Sequence, residues 1–433
     1  MLKKAPNAVL LEAMRKHLNG DLAAAETLYL EIIATDPSEP QAKHYLGYLL
    51  QQTDRLAEAF EQLTAAIALD NRHAEWHFNL GIVLFKQGFA VPAIDAFSKA
   101  IALDSNKYFY WTNLGAALEM NQEWARAEHC YTVASNIDPN CSDAFYLLSA
   151  LCLKLGRFSE ARCFNHCGII AAPSNCTSKI VLGQAYYELG KVDNAITLFE
   201  DWLAEEPDNP VAMHLMAAYR GQQVPEQCSK QYIELTFDSF APTFENILNR
   251  LAYGGPELVR NYLATLDRPA ENPTMLDLGC GTGLVGNVLA PYAGVLIGVD
   301  LSQNMLDRAA LKNVYHQLHK SDITDFLRAS HDQYDLITCM DTLIYLGRLD
   351  SVFSLIYQKL KTGGLFIFST EKLLGDAYES TYKLNISGRY SHHPDYLIKL
   401  LNYTGFKIIT IQDVTIRKES GCPIEGQFIC VSR

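Results

Sequence analysis

Residues 275–283 read Met-Leu-Asp-Leu-Gly-Cys-Gly-Thr-Gly, an apolar run that enters a glycine-rich turn. Glycine lacks a Cβ and reaches backbone conformations closed to other residues, so such a turn lets the main chain pass close to a ligand. Turns that join a β-strand to an α-helix in this way occur in nucleotide-binding α/β folds, although chance matches are common. The stretch therefore indicates an α/β domain with a candidate ligand site at the turn.

The chain around this turn alternates short β-rich runs with helical stretches, which predicts a parallel, doubly wound, Rossmann-like sheet. The predicted strands are Thr274–Leu278, Val295–Val299, His316–Lys320, Leu336–Cys339, Leu365–Ser369, Lys407–Ile411 and Gln427–Ser432. The predicted helices lie near Val285–Ala290, Met305–Leu311, Leu349–Leu360 and Tyr396–Thr404.

The spacing of the turn separates two classes of nucleotide-binding fold. The turn is Gly-x-Gly-x-Gly rather than Gly-x-Gly-x-x-Gly, and the acidic Asp277 precedes it. The second predicted strand ends in Asp300, 17 residues after Gly283, where a carboxylate can accept both hydroxyls of a ribose. An aspartate at a strand end is usually a helix cap, but this spacing favours a ligand contact. Together these features resemble the first motifs of class I S-adenosylmethionine-dependent methyltransferases.

This resemblance implies S-adenosylmethionine as the cofactor and a set of residues that contact it. The implied contacts are Asp277, Gly279, Cys280, Gly281, Gly283, Asp300, Leu301, Met305, Asp322, Ile323 and Cys339. Leu301 and Met305 would sandwich the adenine ring, although helix-packing residues would look the same in sequence. Asp322 would read the adenine amino group.

The side that receives the methyl group is implied by residues 339–342, Cys-Met-Asp-Thr, which the resemblance places at the lip over the donor methyl. Methyltransferases acting on nucleobases or amides often carry Asn/Asp-Pro-Pro-Tyr/Phe there, and this chain does not, which weakens adenine or glutamine N-methylation. A hydroxyl or carboxyl acceptor can use a base to take or orient its proton. Our candidates, in rank order, are His392, Glu371 and Asp341; His392 could equally cap the helix near Pro394.

Two arginines near these candidates admit two interpretations. Arg389 and Arg417 could hold an anionic acceptor through bidentate hydrogen bonds, or they could pair with Glu371 and Glu419.

The N-terminal half contains a 34-residue repeat. Its alanine recurs at Ala25, Ala59, Ala93, Ala127, Ala161 and Ala195, and a small residue recurs at Ala13, Gly47, Gly81, Gly115, Ser149 and Gly183. Repeat ends fall at Pro37, Asn71, Ser105, Pro139, Pro173 and Pro207. Each unit reads as two short amphipathic helices that bury their apolar faces only by stacking, which predicts an α-solenoid. The pattern resembles the tetratricopeptide repeat over residues 6–209, about six repeats, with a closing helix at Pro210–Arg220.

The two patterns divide the chain into a repeat array, residues 1–230, and a methyltransferase domain, residues 231–433. Residues 237–244, Phe-Asp-Ser-Phe-Ala-Pro-Thr-Phe, and residues 388–393, Gly-Arg-Tyr-Ser-His-His, extend the resemblance over nearly the whole chain. The chain is similar to the predicted methyltransferases, found mainly in bacteria, that bear N-terminal tetratricopeptide repeats.

The repeats also indicate a partner. Similar proteins use asparagines of the groove to hydrogen-bond a partner's backbone, and Asn79 and Asn113 occupy that position in adjacent repeats. They could equally be solvated residues of the repeat pattern. A polypeptide partner or substrate in the groove is the favoured interpretation.

Composition excludes several other classes. The chain has 36 basic and 49 acidic residues, a net charge of −13, which disfavours nucleic-acid binding without excluding a small basic face. We find no 18-residue apolar run and no secretory signal pattern, and we therefore expect a cytoplasmic protein without a membrane span. Eleven cysteines without a Cys-x-x-Cys pair indicate reduced thiols and no metal site.

The sequence thus favours an enzyme that methylates a protein recruited by the repeats. The alternatives are a small-molecule or glycan O-methyltransferase whose repeats serve assembly only, or a catalytically silent cofactor-binding scaffold. The scaffold is disfavoured because Asp277, Asp300 and the three glycines of the turn are intact.

Overall fold

A computed structural model of the protein describes residues 6–176, 178–266, 271–375, 381–419 and 422–433. The chain packs as two compact units, Met1–Ser178 and Lys179–Arg433. The sequence boundary near residue 230 marks where the repeat pattern ends, whereas this division leaves the last repeat helices in the second unit.

The first unit consists of five successive helix pairs within its described residues. The helices are α1 Pro6–Leu18, α2 Leu22–Thr35, α3 Pro40–Gln52, α4 Leu56–Leu69, α5 Ala74–Lys86, α6 Ala90–Leu103, α7 Tyr108–Met120, α8 Trp124–Ile137, α9 Ser142–Lys154 and α10 Phe158–Ala171. Each second helix ends shortly before the predicted repeat end. The helical-repeat prediction is confirmed for this part of the chain.

The small residues of the repeat make room for a bulky side chain of the paired helix. A Cβ added to Gly81 would lie 2.5 Å from Cε1 of Phe97, and one added to Gly115 would lie 2.4 Å from Cε1 of Tyr131. Both rings are fully buried. Since real Cβ atoms do not approach this closely, glycine is required for the two helices to pack with the aromatic ring between them.

The second unit begins with repeat-type helices and continues into helices that precede the sheet. These are α11 Lys179–Glu188, α12 Val192–Glu205, α13 Pro210–Arg220, α14 Lys230–Phe240, α15 Phe244–Arg250 and α16 Gly255–Leu263. α13 has the bounds predicted for the closing helix, and it ends at Gly221 in the left-handed conformation that commonly stops a helix. Within the described ranges, no helix has both the length and the apolar character that a membrane crossing requires.

The rest of the second unit alternates strands and helices before ending in a hairpin. Its strands are β1 Thr274–Leu278, β2 Val295–Asp300, β3 Gln317–Lys320, β4 Tyr334–Cys339, β5 Leu360–Lys372, β6 Tyr382–Leu384, β7 Tyr390–His392, β8 Lys407–Glu419 and β9 Cys422–Ser432. Its helices are α17 Leu284–Leu289, α18 Gln303–Ala310, α19 Ile323–Ala329, α20 Asp350–Lys359 and α21 Pro394–Thr404.

The sheet is Rossmann-like but mixed rather than wholly parallel. β3, β2, β1, β4 and β5 lie side by side in that order and run parallel. β9 is antiparallel to β5, and β8 is antiparallel to β9. The sequence predicted short strands at Lys407–Ile411 and Gln427–Ser432. Both strands are longer and form a hairpin, and a hairpin is antiparallel by construction.

The carboxyl ends of the parallel strands meet at one edge of the sheet, where ligands bind in open α/β folds. β4 stops beside Phe368, and beyond that point β7 takes its place next to β5 by pairing with Glu371 and Lys372. Glu371 also pairs with Gly426 of β9. The edge is thus built from the ends of β1, β2, β4 and β5 together with β7 and the β8–β9 hairpin.

Candidate functional site

The glycine-rich turn after β1 is held against the end of β2. Gly279, Gly281 and Gly283 all have positive φ, of 68°, 54° and 84°. The main-chain N–H of Gly281 donates to Oδ2 of Asp300 over 2.9 Å. A Cβ added to Gly281 would meet only Cε1 of Phe244, at 3.7 Å, so the space in front of this residue is open to a ligand.

Gly279 is needed for a different reason. A Cβ there would lie 2.2 Å from Oγ1 of Thr342, in the loop after β4. The side chain of Cys280 is buried, and Gly283 is the residue before α17, where a Cβ would touch Tyr315. The close contact with Thr342 brings the loop after β4 onto the turn, as a shared ligand site requires.

Asp300 is the last residue of β2 and does not cap α18. Its Oδ1 accepts a hydrogen bond from the N–H of Ser302, and Ser302 itself caps the helix by accepting from the N–H of Met305. Asp238 supports this cap, because its Oδ1 accepts from the hydroxyl of Ser302. Burial raises the pKa of Asp300. The alternative prediction, that Asp300 caps a helix, is therefore wrong, because Ser302 is the cap of α18.

Asp277 is buried behind the turn, with 1% of its surface exposed. Its two carboxylate oxygens accept hydrogen bonds from the hydroxyls of Tyr315 and Thr338, each over 2.7 Å. Burial raises the pKa of Asp277 to about 6, and these two bonds oppose that rise. Asp277 therefore joins the end of β1 to β4 and to the segment before β3. Sequence reasoning did not identify Tyr315 or Thr338.

The remaining predicted cofactor contacts surround the same edge. Leu301 directly follows β2, and Asp322 caps α19 by accepting from the N–H groups of Thr324 and Asp325. Three others lie within the hydrophobic packing, with little exposed surface: Met305, Ile323 and Cys339. Their contacts with a bound cofactor stay predictions.

Helices α14 and α15 lie over the edge, and three ion pairs join them to β3, to α19 and to the segment after α18. Lys230 pairs with Asp325, Glu234 with Lys320, and Glu245 with Lys312. Their aromatic side chains line the covered side, where the Phe237 ring lies 6.1 Å from Phe244 and 5.3 Å from Tyr345. The family resemblance includes residues 237–244 without giving them a role. Their contacts place them over the edge, and we call α14 and α15 the roof of the candidate site.

A buried network of ion pairs closes the other side of the edge. Arg417 of β8, with 2% of its side chain exposed, binds the carboxylates of Asp341, Glu371 and Glu419. Arg389 pairs with Glu371 and Glu419. Burial would raise the pKa of Glu419, but the two guanidinium groups outweigh it and lower that pKa. The sequence left two roles open for these arginines, binding an anionic acceptor or pairing with Glu371 and Glu419. The structure shows the pairing.

Asp341 stands at the lip of the site in a strained conformation. It follows β4 with a φ of 53°, a region that non-glycine residues seldom adopt. Its N–H donates to the hydroxyl of Ser369 over 2.9 Å, and its Oδ1 accepts from Arg417 over 2.8 Å. Such conformations persist where surrounding contacts enforce them, and they cluster at functional sites.

His392 lies apart from the other two predicted bases. It is fully buried, and its Nε2 lies 2.9 Å and 3.1 Å from the carbonyl oxygens of Leu346 and Gly347. A carbonyl only accepts, so Nε2 carries the proton and donates it. Burial lowers the pKa of His392 to about 4, which makes the ring neutral at pH 7.

The register of β7 explains this placement. Ser391 pairs with Glu371 and His392 with Lys372, so the side chains of His392 and Glu371 point to opposite faces of the sheet. The structure therefore brings Asp341 and Glu371 together on Arg417 and places His392 elsewhere. The ranking of His392 as first candidate base is not supported, because its ring is used to hold the loop after β4.

The asparagines proposed as clamps in the repeats are engaged within the first unit. Nδ2 of Asn79 lies 2.9 Å from Nε2 of His44, and both residues are buried. Nδ2 of Asn113 donates to the carbonyl of Phe109 over 2.7 Å. Asn79 thus contributes to helix packing rather than facing a partner.

Known proteins resemble the two parts of the chain separately. Residues 251–411 match the methyltransferase domain family, and residues 19–71 and 46–108 match the tetratricopeptide repeat. Over 104 residues the chain is 32% identical to the ubiquinone biosynthesis O-methyltransferase of Hydrogenovibrio crunogenus (strain DSM 25203 / XCL-2). This match covers 23% of this chain and 43% of that protein. The chain thus spans less than half the length of this relative.

Two solved structures align with parts of the chain. A S-adenosylmethionine-dependent methyltransferase from Clostridium acetobutylicum ATCC 824 aligns with a TM-score of 0.34 and 21% identity, covering 44% of this chain and 98% of that chain. MamA aligns with a TM-score of 0.36 and 23% identity, covering 38% of this chain and 95% of that chain.

The Rossmann-like sheet, the glycine-rich turn held by Asp300 and the domain match define a class I methyltransferase domain, whose cofactor is S-adenosylmethionine. The same chain carries tetratricopeptide repeats. One chain therefore joins tetratricopeptide repeats to a S-adenosylmethionine-dependent methyltransferase domain, and this confirms the class of enzyme and the cofactor predicted from the sequence.

We expect Gly281→Val to abolish S-adenosylmethionine binding, because the branched side chain would enter the open space before the turn. Gly363→Val is the matched control: Gly363 also has a positive φ, of 80°, with nothing within 4 Å of an added Cβ, and it lies in β5 away from the edge. Calorimetric titration with S-adenosylhomocysteine measures both variants. Wild-type affinity in Gly281→Val would place the cofactor elsewhere. An equal loss in both variants would assign the effect to the backbone strain of valine at a positive φ and would contradict the expected contact at Gly281.

Proposed function

We propose that the chain transfers a methyl group from S-adenosylmethionine to a protein that its repeats recruit. The observation that carries the proposal is the presence, in one chain, of tetratricopeptide repeats and a methyltransferase edge with an intact glycine-rich turn. Tetratricopeptide arrays offer an extended surface suited to a polypeptide. Holding the acceptor on the same molecule raises its effective concentration at the site.

The residues of the edge fit an adenosine joined to a methionine tail. Asp300 presents a carboxylate that can accept the ribose hydroxyls, and the backbone of Gly281 leaves room for close approach. In this proposal Leu301 and Met305 sandwich the adenine ring, Asp322 reads its amino group, and Ile323 adds contacts. When bound, the cofactor supplies an electrophilic methyl on a sulfonium. The chain's part is to align the acceptor with that methyl and to exclude water.

Asp341 is the residue that we propose to orient the acceptor and take its proton. Its side chain is 19% exposed, against 9% for Glu371 and none for His392. Glu371 is occupied by both Arg389 and Arg417, whereas Arg417 is the described charge partner of Asp341. Arg417 fixes the direction of the carboxylate, and the roof helices α14 and α15 keep the site covered.

The second candidate function is O-methylation of a small molecule, with the repeats serving assembly. It is favoured by the name of the Hydrogenovibrio crunogenus relative, ubiquinone biosynthesis O-methyltransferase. A hydroxyl acceptor would also use a carboxylate such as Asp341 to accept its proton. A glycan hydroxyl would place the same demand on the site.

We further propose a cytoplasmic location, since all eleven cysteines are free thiols.

The two functions differ in what the first unit contributes. We expect the fragment Lys179–Arg433 to bind S-adenosylhomocysteine as the full chain does, but to lose most transfer to a protein acceptor. The fragment starts at Lys179 because α11, α12 and α13 belong to the second compact unit. The measurement supplies radiolabelled S-adenosylmethionine and an extract of the source cells to each form, then separates labelled macromolecules from small molecules. If the full chain and the fragment label small molecules at equal rates, the protein-acceptor proposal is wrong and small-molecule O-methylation takes its place.

We expect Asp341→Asn to lower turnover about 100-fold or more, the usual range for loss of a positioned base. Cofactor affinity should stay near the wild-type value, because the carboxylate serves the acceptor. Asp413→Asn is the matched control, since Asp413 is a β8 carboxylate that pairs with Lys372 and is 55% exposed. Initial rates of label transfer and calorimetry together decide the outcome. An unchanged rate in Asp341→Asn would mean that the acceptor needs no base at this position.

A further inference from the structure

A buried histidine of helix α13 contacts the turn between β6 and β7. His214 is 5% exposed, and its Nε2 donates to the carbonyl oxygen of Gly388 over 2.9 Å. The thiol of Cys228 lies 3.3 Å from the same nitrogen. The His214 ring packs at 4.3 Å from that of Tyr232. α13 is the helix predicted to close the repeats, so a repeat-type helix reaches the segment between β6 and β7.

The segment that His214 contacts is a tight turn with little freedom. Gly388 has a φ of 78°, and its N–H donates to the carbonyl of Asn385 over 2.8 Å. A Cβ on Gly388 would lie 2.3 Å from the hydroxyl of Tyr232. The turn is therefore enclosed by Tyr232 and tied down by His214. Its position fixes where the next residue, Arg389, begins.

Arg389 carries that position into the charge network. Its Nε donates to Oε1 of Glu371 over 3.0 Å, and its guanidinium also pairs with Glu419. Both carboxylates bind Arg417, which holds Asp341. A shift of Gly388 would move Arg389 and alter the arrangement of charges that directs Asp341.

The segment that follows α13 also contacts the loop after β4, through two main-chain hydrogen bonds. The N–H of Cys228 donates to the carbonyl of Tyr345 over 2.9 Å, and the N–H of Gly347 donates to the carbonyl of Glu226 over 2.8 Å. These bonds fix the loop that runs from Asp341 into α20. The end of α13 and its successor segment thus contact both the turn before Arg389 and the loop after Asp341.

We propose that His214 is a positioning residue for methyl transfer, acting through Gly388 and Arg389 on the carboxylate of Asp341. This inference rests on the proposed function, in which Asp341 faces the acceptor. The donated hydrogen bond matters because it joins α13 to Gly388, the residue that directly precedes Arg389. Reacting groups displaced by about 1 Å lose rate by about 100-fold, so a small shift suffices.

The test uses the full chain with two substitutions at His214 and one control. His214→Leu removes the hydrogen-bond donor, and His214→Gln keeps an N–H near the position of Nε2. His77→Leu is the control, because His77 is also a buried repeat-helix histidine, 6% exposed, whose Nε2 lies 3.0 Å from a main-chain carbonyl, that of Asn71.

We expect His214→Leu to lower kcat about tenfold or more, with an unchanged dissociation constant for S-adenosylhomocysteine, and His214→Gln to restore most of the rate. His77→Leu should lower the melting temperature but leave kcat unchanged. The acceptor is the labelled fraction defined by the extract experiment. Wild-type kcat in His214→Leu overturns the inference, and so does a loss that His214→Gln does not restore.

A second measurement separates this inference from the proposed function. Amide hydrogen exchange at Gly388 and Arg389 needs no acceptor, and it should accelerate in His214→Leu and return in His214→Gln. If wild-type protein labels no acceptor while exchange behaves in this way, the proposed function fails and the link from His214 to Arg389 stands. Unchanged exchange in His214→Leu overturns the link whatever the methyl acceptor is.

Discussion

The carboxyl edge of the sheet depends on one buried cation, the guanidinium of Arg417. It is almost entirely enclosed, and the carboxylates of Asp341, Glu371 and Glu419 surround it. Breaking a buried ion pair by removing one partner typically costs about 3–5 kcal/mol, because a charge is left without compensation. Arg417 therefore holds the loop after β4, the end of β5 and the tip of the β8–β9 hairpin at one point. In the proposed function these three segments form the acceptor side of the methyltransferase site.

The second compact unit, Lys179–Arg433, begins within the repeat pattern and not at its end. Leu215 and Tyr219 of α13 share a hydrophobic cluster with Tyr232, Leu384 and Tyr390. A helix with repeat-type sequence is thus part of the core that supports β6 and β7. The 34-residue pattern therefore continues into the packing unit that contains the sheet, and a helix with repeat-type sequence contacts the turn before β7 through packing and a hydrogen bond.

The parts of the site that the sequence predicted are those whose signal lies within one short segment. The glycine-rich turn and Asp300 have fixed spacing along the chain, and the structure joins them by a hydrogen bond. The repeats were predictable for the same reason, since small residues recur at one interval. The partners of Asp277 were not predictable, because Tyr315 and Thr338 meet it only after folding.

His392 shows a second limit of sequence reasoning, because a motif gives residue type but the register of β7 decides which way the ring points. The β8–β9 hairpin was missed because polar residues continue both strands beyond their apolar parts. A crystal structure of the full chain with S-adenosylhomocysteine would test this site most directly. We expect the ribose hydroxyls to bind Asp300, the sulfur to face the loop of residues 339–342, and Asp341 to remain bound to Arg417. A ligand bound away from the glycine-rich turn, or Asp341 turned out of the site, would contradict it.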